Sequence, residues 1–280
     1  MSVWTNEDLE FLKNNYNKLT KKEIADILNK TSCAVQLKAN RLGLKKDEKY
    51  HYNKSFFKEI VNPSQAYWLG FIYADGYITA NKTKTKYSIG IELNVNDYEH
   101  LKKFNNSIEG NVPVTSRIRN GHIIVNHAVG EFRICSIRLY CTQMAKDLES
   151  HGCCLNKSLI KTKPVGIPEN LMRDFIRGYF DGNGTICTSY NKQVDKSYLK
   201  VQIETGSKEF SNWISIYLKE NGFENHIVDD KNAYKIQIYS KSNQKFLDYI
   251  YKDSEIYLNR KYEKYLCAVY GESNTLAINN

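Results

Sequence analysis

Two stretches of the chain share one unusual design: AYWLGFIYADGYIT, from Ala66 to Thr79, and RDFIRGYFDGNGTI, from Arg173 to Ile186. Each reads as an apolar helix with small residues four apart. These are Gly70 and Ala74 in the first helix, and Gly178 and Gly182 in the second. Glycine inside a helix costs about 1 kcal/mol relative to alanine, so repeating it at this spacing needs a reason. Small residues at i and i+4 share a face and let two helix backbones approach more closely than ordinary side chains permit. Two helices packed through such faces bring their C-terminal ends together at a pseudo-twofold axis. A helix C-terminus carries about half a negative charge, so Asp75 is unfavourable there, and a second helix end beside it more so. A divalent cation resolves the conflict, and oxygen ligands with retained waters suit Mg2+.

The surroundings of the two helices also repeat. Each is followed by an alternating strand: YSIGIELN, with Ile89, Ile91 and Leu93 on one side, and YLKVQIET, with Leu199, Val201 and Ile203. A helix start comes next, with Asp97 and Ser207 as N-caps. Further strands lie in SRIRNGHIIV, with an Asn120-Gly121 hairpin turn, and in NAYKIQIYS. The helices CTQMAKDLESHG and NQKFLDYIY close the two copies, and Asp75 and Asn183 are 108 residues apart, about one unit.

The first 44 residues predict three short helices. Leu9, Phe11, Leu12 and Tyr16 form the apolar side of the first, with Trp4 as a plug. Thr20 and Glu23 make a capping box before Ile24, Ile27 and Leu28. Thr31 or Ser32 caps a third helix with Val35, Ala39 and Leu42 inward, and Gly43 stops it. Residues 45–63 read as a basic linker, residues 64–165 and 166–280 as the two repeats.

Forty Lys and Arg against 31 Asp and Glu give a net charge of +9, a pointer to a polyanionic partner. Seven cysteines without a CxxC pair argue against a disulfide framework or zinc site and fit a reducing compartment. The start, MSVWTNEDLE, has no secretory-signal pattern, and the apolar runs are too short to span a bilayer. The expectation is therefore a non-secreted, non-membrane protein of a bacterial or phage-infected cytoplasm or an organellar matrix. HIIVNH, at His122 to His127, superficially matches an HNH nuclease motif but falls on an expected strand.

WLGFIYADG and FIRGYFDGNG resemble the paired signature helices of LAGLIDADG homing endonucleases in their single-chain form, over residues 64–270 or so. IYLNRKYEKYL, at Ile256 to Leu266, is similar to that family's closing segment. The resemblance implies an α+β fold in which two αββαββα repeats form a saddle over the DNA major groove, here behind a small three-helix domain. That domain, ending in KANRLGL, resembles a helix-turn-helix or Myb-like module, which would offer Ser32, Gln36, Asn40 and Arg41 to a groove. On the sheets, period-two placement presents Arg117 and Arg119, Lys200 and Gln202, and Lys235, Gln237 and Tyr239 outward. Such a set suits a long, near-unique duplex site; intron RNA is the alternative nucleic acid.

The resemblance further implies a monomeric, Mg2+-dependent hydrolase with Asp75 and Asn183 as metal ligands. Glu92 and Gln202 would sit where polar residues orient the nucleophilic water, and Arg138 and Lys241 near the place of a basic residue. The departure is Asn183, an amide where the motif has an acid. Asp181 does not substitute, because two helical residues are about 200° apart. Three outcomes remain open: slowed cutting of both strands, preferential nicking, or a regulator that binds without cutting. An intron RNA maturase is a further alternative.

Overall fold

The structure is a computed structural model that describes residues 3–120, 131–153, 162–191, 195–231 and 233–271. It divides into two compact units, Met1–His51 and Tyr52–Asn280. HIIVNH lies outside the described residues. None of the described helices is long and apolar enough to cross a membrane.

In the first unit, α1 (Asn6–Asn15), α2 (Lys21–Ile27) and α3 (Ser32–Arg41) surround a core of Leu12, Tyr16, Ile24, Ala25, Val35 and Ala39. Thr5 and Thr20 each close a capping box, with Asp8 and Glu23, and Thr31 caps α3. Each cap satisfies backbone N–H groups that a helix start leaves unpaired. Ile27 is not a core residue as expected; it is 57% exposed, and Ala25 takes its place. The buried stripe of α2 runs through Ile24, Ala25 and Leu28. At roughly 100° per residue, Ile27 lies more than a quarter turn from its centre.

The second unit contains the twofold repeat. In chain order the first copy is α4 (Pro63–Ala74), β1 (Gly76–Ala80), β2 (Tyr87–Asn94), α5 (Tyr98–Ser107), β3 (Thr115–Asn120), β4 (Glu131–Leu139) and α6 (Thr142–Ser150). The second is α7 (Glu169–Asn183), β5 (Gly184–Asn191), β6 (Lys196–Thr205), α8 (Lys208–Glu220), β7 (Asn225–Asp230), β8 (Ala233–Ile238) and α9 (Ser240–Tyr251). A last helix, α10 (Asn259–Tyr270), follows. Each copy forms an antiparallel four-stranded sheet, ordered β1-β2-β4-β3 and β5-β6-β8-β7. Ile89, Ile91 and Leu93 in the first sheet, and Val201, Ile203, Ile236 and Ile238 in the second, point into the core.

Helices α4 and α7 occupy the centre, buried along nearly their whole length, as expected of helices apolar on most sides. They meet backbone to backbone. A Cβ built on Gly178 would stand 1.9 Å from the carbonyl oxygen of Tyr67, and one on Gly70 would stand 2.0 Å from that of Phe175. The reciprocity is the pseudo-twofold axis expressed in atoms.

Two further expectations change. The stretch read as a basic linker is part of the second unit from Tyr52 onward, because Phe56, Phe57 and Ile60 are buried in it. Its Phe57 carbonyl meets His151 Nε2 at 2.9 Å. Asp97 makes no cap hydrogen bond at α5; its carboxylate accepts instead from Arg260 Nε at 3.1 and 3.2 Å.

His100 of α5 is packed among Tyr67, Trp68 and Phe71, 3% exposed. Burial, helped by the charges of Lys103 and Arg260, pulls its pKa down to about 3 from 6.5. Between those values the unfolded chain binds a proton that the folded chain does not, so stability is retained above pH 6.5 and lost as pH falls. Denaturant titrations from pH 6.5 to 4 should show this contribution as a slope of about 1.4 kcal/mol per pH unit, absent in His100→Gln. In a second test, Gly178→Ala should lose about 3 kcal/mol despite alanine's better helix propensity, since Tyr67's backbone cannot yield without parting the helices.

Candidate active site at the paired helix ends

The close approach carries on to the ends of the two helices. A Cβ on Gly182 would stand 2.3 Å from that of Ala74 and 3.4 Å from the Asp75 carboxylate oxygen Oδ2. Asp75 caps α4, and Asn183 is the last residue of α7. Both are partly exposed. The two side chains chosen from sequence as metal ligands therefore belong to neighbouring helix ends, each leading directly into a strand. Asn183 Nδ2 donates to the Tyr179 hydroxyl at 3.3 Å, and that hydroxyl donates to the Glu204 carbonyl at 3.1 Å. Burial pushes Tyr179 up to about 12, so it remains a neutral bridge.

Strand register identifies what stands beside each end. Gly76 pairs with Ile91, and Gly184 with Ile203. Glu92 and Glu204 each come directly after the strand partner of the glycine that follows Asp75 or Asn183, so the two glutamates hold equivalent register positions. Glu204, not Gln202, is thus the counterpart of Glu92; Gln202 corresponds to Gly90, which faces Tyr77 as Gln202 faces Thr185. A two-residue displacement keeps a side chain on the same face of a strand, which is why the sequence does not separate these choices. Gln202 lies buried in the middle of the sheet, with Nε2 on Glu204 Oε1 at 2.8 Å and Oε1 unpartnered among the described residues.

The Glu92 carboxylate is already matched. Glu92 accepts from Arg117 at 2.8 Å and Arg119 at 3.0 Å, both on the outer strand β3 and two-thirds exposed. Arg138 is exposed on β4, opposite Gly90, with its guanidinium 5.6 Å from the centre of the Tyr77 ring. Its partner by register is Gln237, since both oppose the Gly90 and Gln202 positions. Lys241 is not the equivalent of Arg138: it stands exposed in the first turn of α9, beyond the end of β8.

Of the other sheet residues, Lys200 opposes Cys187, and Lys235 opposes Glu204 while pairing with Asp230. Tyr239, exposed just past β8, stacks on His226 with ring centres 5.1 Å apart. In the first unit Ser32, Asn40 and Arg41 are exposed, and Gln36 donates to Asn40 Oδ1 at 2.7 Å.

Sequence reasoning missed the network beneath the ends. Asp181, fully buried, accepts from Tyr67 at 2.6 Å, Tyr251 at 2.6 Å and the Leu258 N–H at 2.7 Å. Burial raises its pKa against the pull of those donors and of Lys261. Lys261 of α10 donates to the Phe180 carbonyl at 2.7 Å and the Gly184 carbonyl at 2.5 Å. Burial draws its pKa down to about 8, with Asp181 opposing, and it is charged at neutral pH. One signal was present: Lys261 lies three residues after Leu258 and four before Tyr265, on the buried stripe of α10.

Asp75 and Asn183 offer hard oxygen donors, which suit Mg2+, Ca2+ or Mn2+. No cluster of three or more His, Cys, Asp or Glu able to hold a metal occurs among the described residues. The donor set fits an ion that completes its shell with water or phosphate oxygens.

A LAGLIDADG-like domain model matches residues 170–251, from α7 through α9. The homing endonuclease I-WcaI bound to its DNA recognition sequence is 15% identical, with a TM-score of 0.56 over 80% of this chain and 97% of that one. The LAGLIDADG meganuclease I-AabMI bound to uncleaved DNA is 14% identical, with a TM-score of 0.51 over 77% and 93%. The mixed α+β fold, with its two four-stranded antiparallel sheets, is that of the LAGLIDADG meganucleases. No curated protein sequence matches the chain.

The paired acids of the second helix have separate fates, one buried and one replaced. Asp181→Asn should cost about 3–5 kcal/mol in denaturant titrations at pH 7, because it leaves the buried Lys261 charge without its counter-charge. Asn183→Asp, at the partly exposed position, should change stability far less.

Proposed function

We propose that this chain is a site-specific endonuclease of duplex DNA that hydrolyses phosphodiester bonds at the joined ends of α4 and α7 with a divalent cation, most simply Mg2+. The observation that carries the reading is the placement of the Asp75 carboxylate against Gly182 of the opposing helix. An acid at one helix terminus, pressed against a second terminus, is a cation site by its electrostatics. When bound, such an ion supplies charge neutralisation at the scissile phosphate and a more acidic water.

The chain's own groups then divide the work. Asp75 and the Asn183 amide oxygen hold the ion. Glu92, carried beside Asp75 by the β1–β2 ladder, is held by two guanidiniums in the free protein. An arriving DNA phosphate competes for Arg117 and Arg119, since both anions prefer the same planar donors. That exchange leaves Glu92 able to accept a proton from water. Glu204 orients water at the other end, and Gln202, first chosen for that role, holds the Glu204 carboxylate through its Nε2 at 2.8 Å. Arg138 and Lys241 are assigned to backbone contacts flanking the ends.

Lys200, Lys235 and the β3 arginines contact phosphates, while Gln237 and Tyr239 reach base edges. Residues 1–44 act as a helix-turn-helix-type module, with Ser32, Gln36, Asn40 and Arg41 facing a groove. Residues 64–165 and 166–280 are the two repeats. Because one chain supplies both central helices, the active species is a monomer.

Asn183 brings no charge, so cutting near α7 is the weaker of the two. On a supercoiled plasmid carrying the rejoined DNA that flanks the reading frame, Mg2+ should give nicked product well ahead of linear. Asp75→Asn should lower both by at least a hundredfold, and Asn183→Asp should raise the linear fraction. Persistent binding without cutting would instead mark a regulator, and preference for structured intron RNA a maturase.

A further inference from the structure

Helix α3 carries a large apolar side chain that the core of its unit does not use. Leu37 is 54% exposed, whereas Val35 and Ala39 on the same helix are completely buried. At about 100° per residue, Leu37 lies on the far side of α3 from both. Its neighbours one turn away are Cys33, Asn40 and Arg41, all exposed. Beside this face stands a fixed amide. Gln36 Nε2 donates to Asn40 Oδ1 at 2.7 Å and lies 3.5 Å from the hydroxyl of the buried Tyr16. Gln36 is thereby tied to the core, and its donation fixes which way the Asn40 amide faces. Charge is segregated as well. Residues 27–46 hold Lys30, Lys38, Arg41, Lys45 and Lys46 and neither Asp nor Glu. The acids of the three helices, Glu7, Asp8, Glu10, Glu23 and Asp26, sit on α1 and α2.

Resting on the proposed nuclease reading, and within it on residues 1–44 as a groove-binding module, we infer that Leu37 is a specificity-determining residue for a thymine methyl group, next to an adenine read by Asn40. Gln36 is then a positioning residue and not a reader of bases. The C5-methyl of thymine is the apolar feature of the major-groove edges, and an adenine edge takes one donor and one acceptor from an amide. With one lone pair of Oδ1 occupied by Gln36, Asn40 keeps a second lone pair and its Nδ2 hydrogens for that edge. Leu37 meets the methyl while the cations around it meet phosphates. Those cations also choose the occupant of the face. A second copy of it would bring like charges together, whereas a duplex offers an array of phosphates. The module accordingly selects duplexes with thymine and adenine side by side where α3 lies.

The test uses the full chain in EDTA and duplexes it selects from a random pool, with affinity read by fluorescence anisotropy. Replacing thymine by deoxyuridine, position by position, removes only the methyl. At the thymine that Leu37 contacts, wild type should lose about fourfold in affinity, the worth of one buried methyl group. Leu37→Ala should lose nothing further there, and its thermal unfolding should match wild type because the side chain is exposed. Replacing the neighbouring adenine by 7-deazaadenine should weaken wild type but not Asn40→Ala. Gln36→Met should shrink that penalty while the deoxyuridine penalty and the salt dependence stay as they were; an undiminished penalty would overturn its positioning role. If no thymine shows a methyl effect, or Leu37→Ala keeps it everywhere, the inference falls, and cutting of plasmid leaves the nuclease reading standing. Unchanged DNA affinity in Leu37→Ala with a dimer turned to monomer in sedimentation would assign the face to a second copy and overturn it likewise. Failure of wild type to select any duplex would overturn both.

Discussion

The carbonyl oxygens of Tyr67 and Phe175 lie where side chains on Gly178 and Gly70 would have to be. From this double backbone contact the rest of the second unit follows. Helices that touch through glycine are fixed in rotation as well as in distance, because only one face of each is bare. With rotation fixed, the ends at Asp75 and Asn183 come together and the strands that leave them start side by side. Each sheet then inherits its register from a glycine, Gly76 or Gly184, at the first position of its first strand. The chemistry proposed at the helix ends is thus a consequence of packing, and a change at Gly70 or Gly178 acts on it without touching it.

The same contact creates the electrostatic problem that the remaining polar residues answer. Two helix C-termini side by side concentrate negative partial charge, and Asp75 adds a full charge. Lys261 answers it from beneath with a buried ammonium on the Phe180 and Gly184 carbonyls, with Asp181 and its two tyrosines buried nearby. A divalent ion at Asp75 is the proposed answer from outside.

Much of this was legible in the sequence because it is local. Glycine spacing, Asp-Gly ends, alternating strands and the Thr20 capping box each declare themselves within a few residues. What was not legible depends on distant partners. Choosing Glu204 over Gln202 as the counterpart of Glu92 requires knowing that Ile203 pairs with Gly184, and both candidates lie on the same strand face. Lys261 bonds carbonyls 77 and 81 residues away; a lone lysine on an apolar stripe usually snorkels to solvent. Ile27 was misplaced because seven helical residues are too few to define a stripe. The burial of Phe56 and Phe57 was hidden by the lysines around them.

The most direct test of the account is the position of a bound metal. An anomalous difference map from crystals of the full chain grown with Mn2+ should show a strong peak at the junction of α4 and α7, bonded to the Asp75 carboxylate. A peak remote from that junction, or no peak beside Asp75, would contradict it.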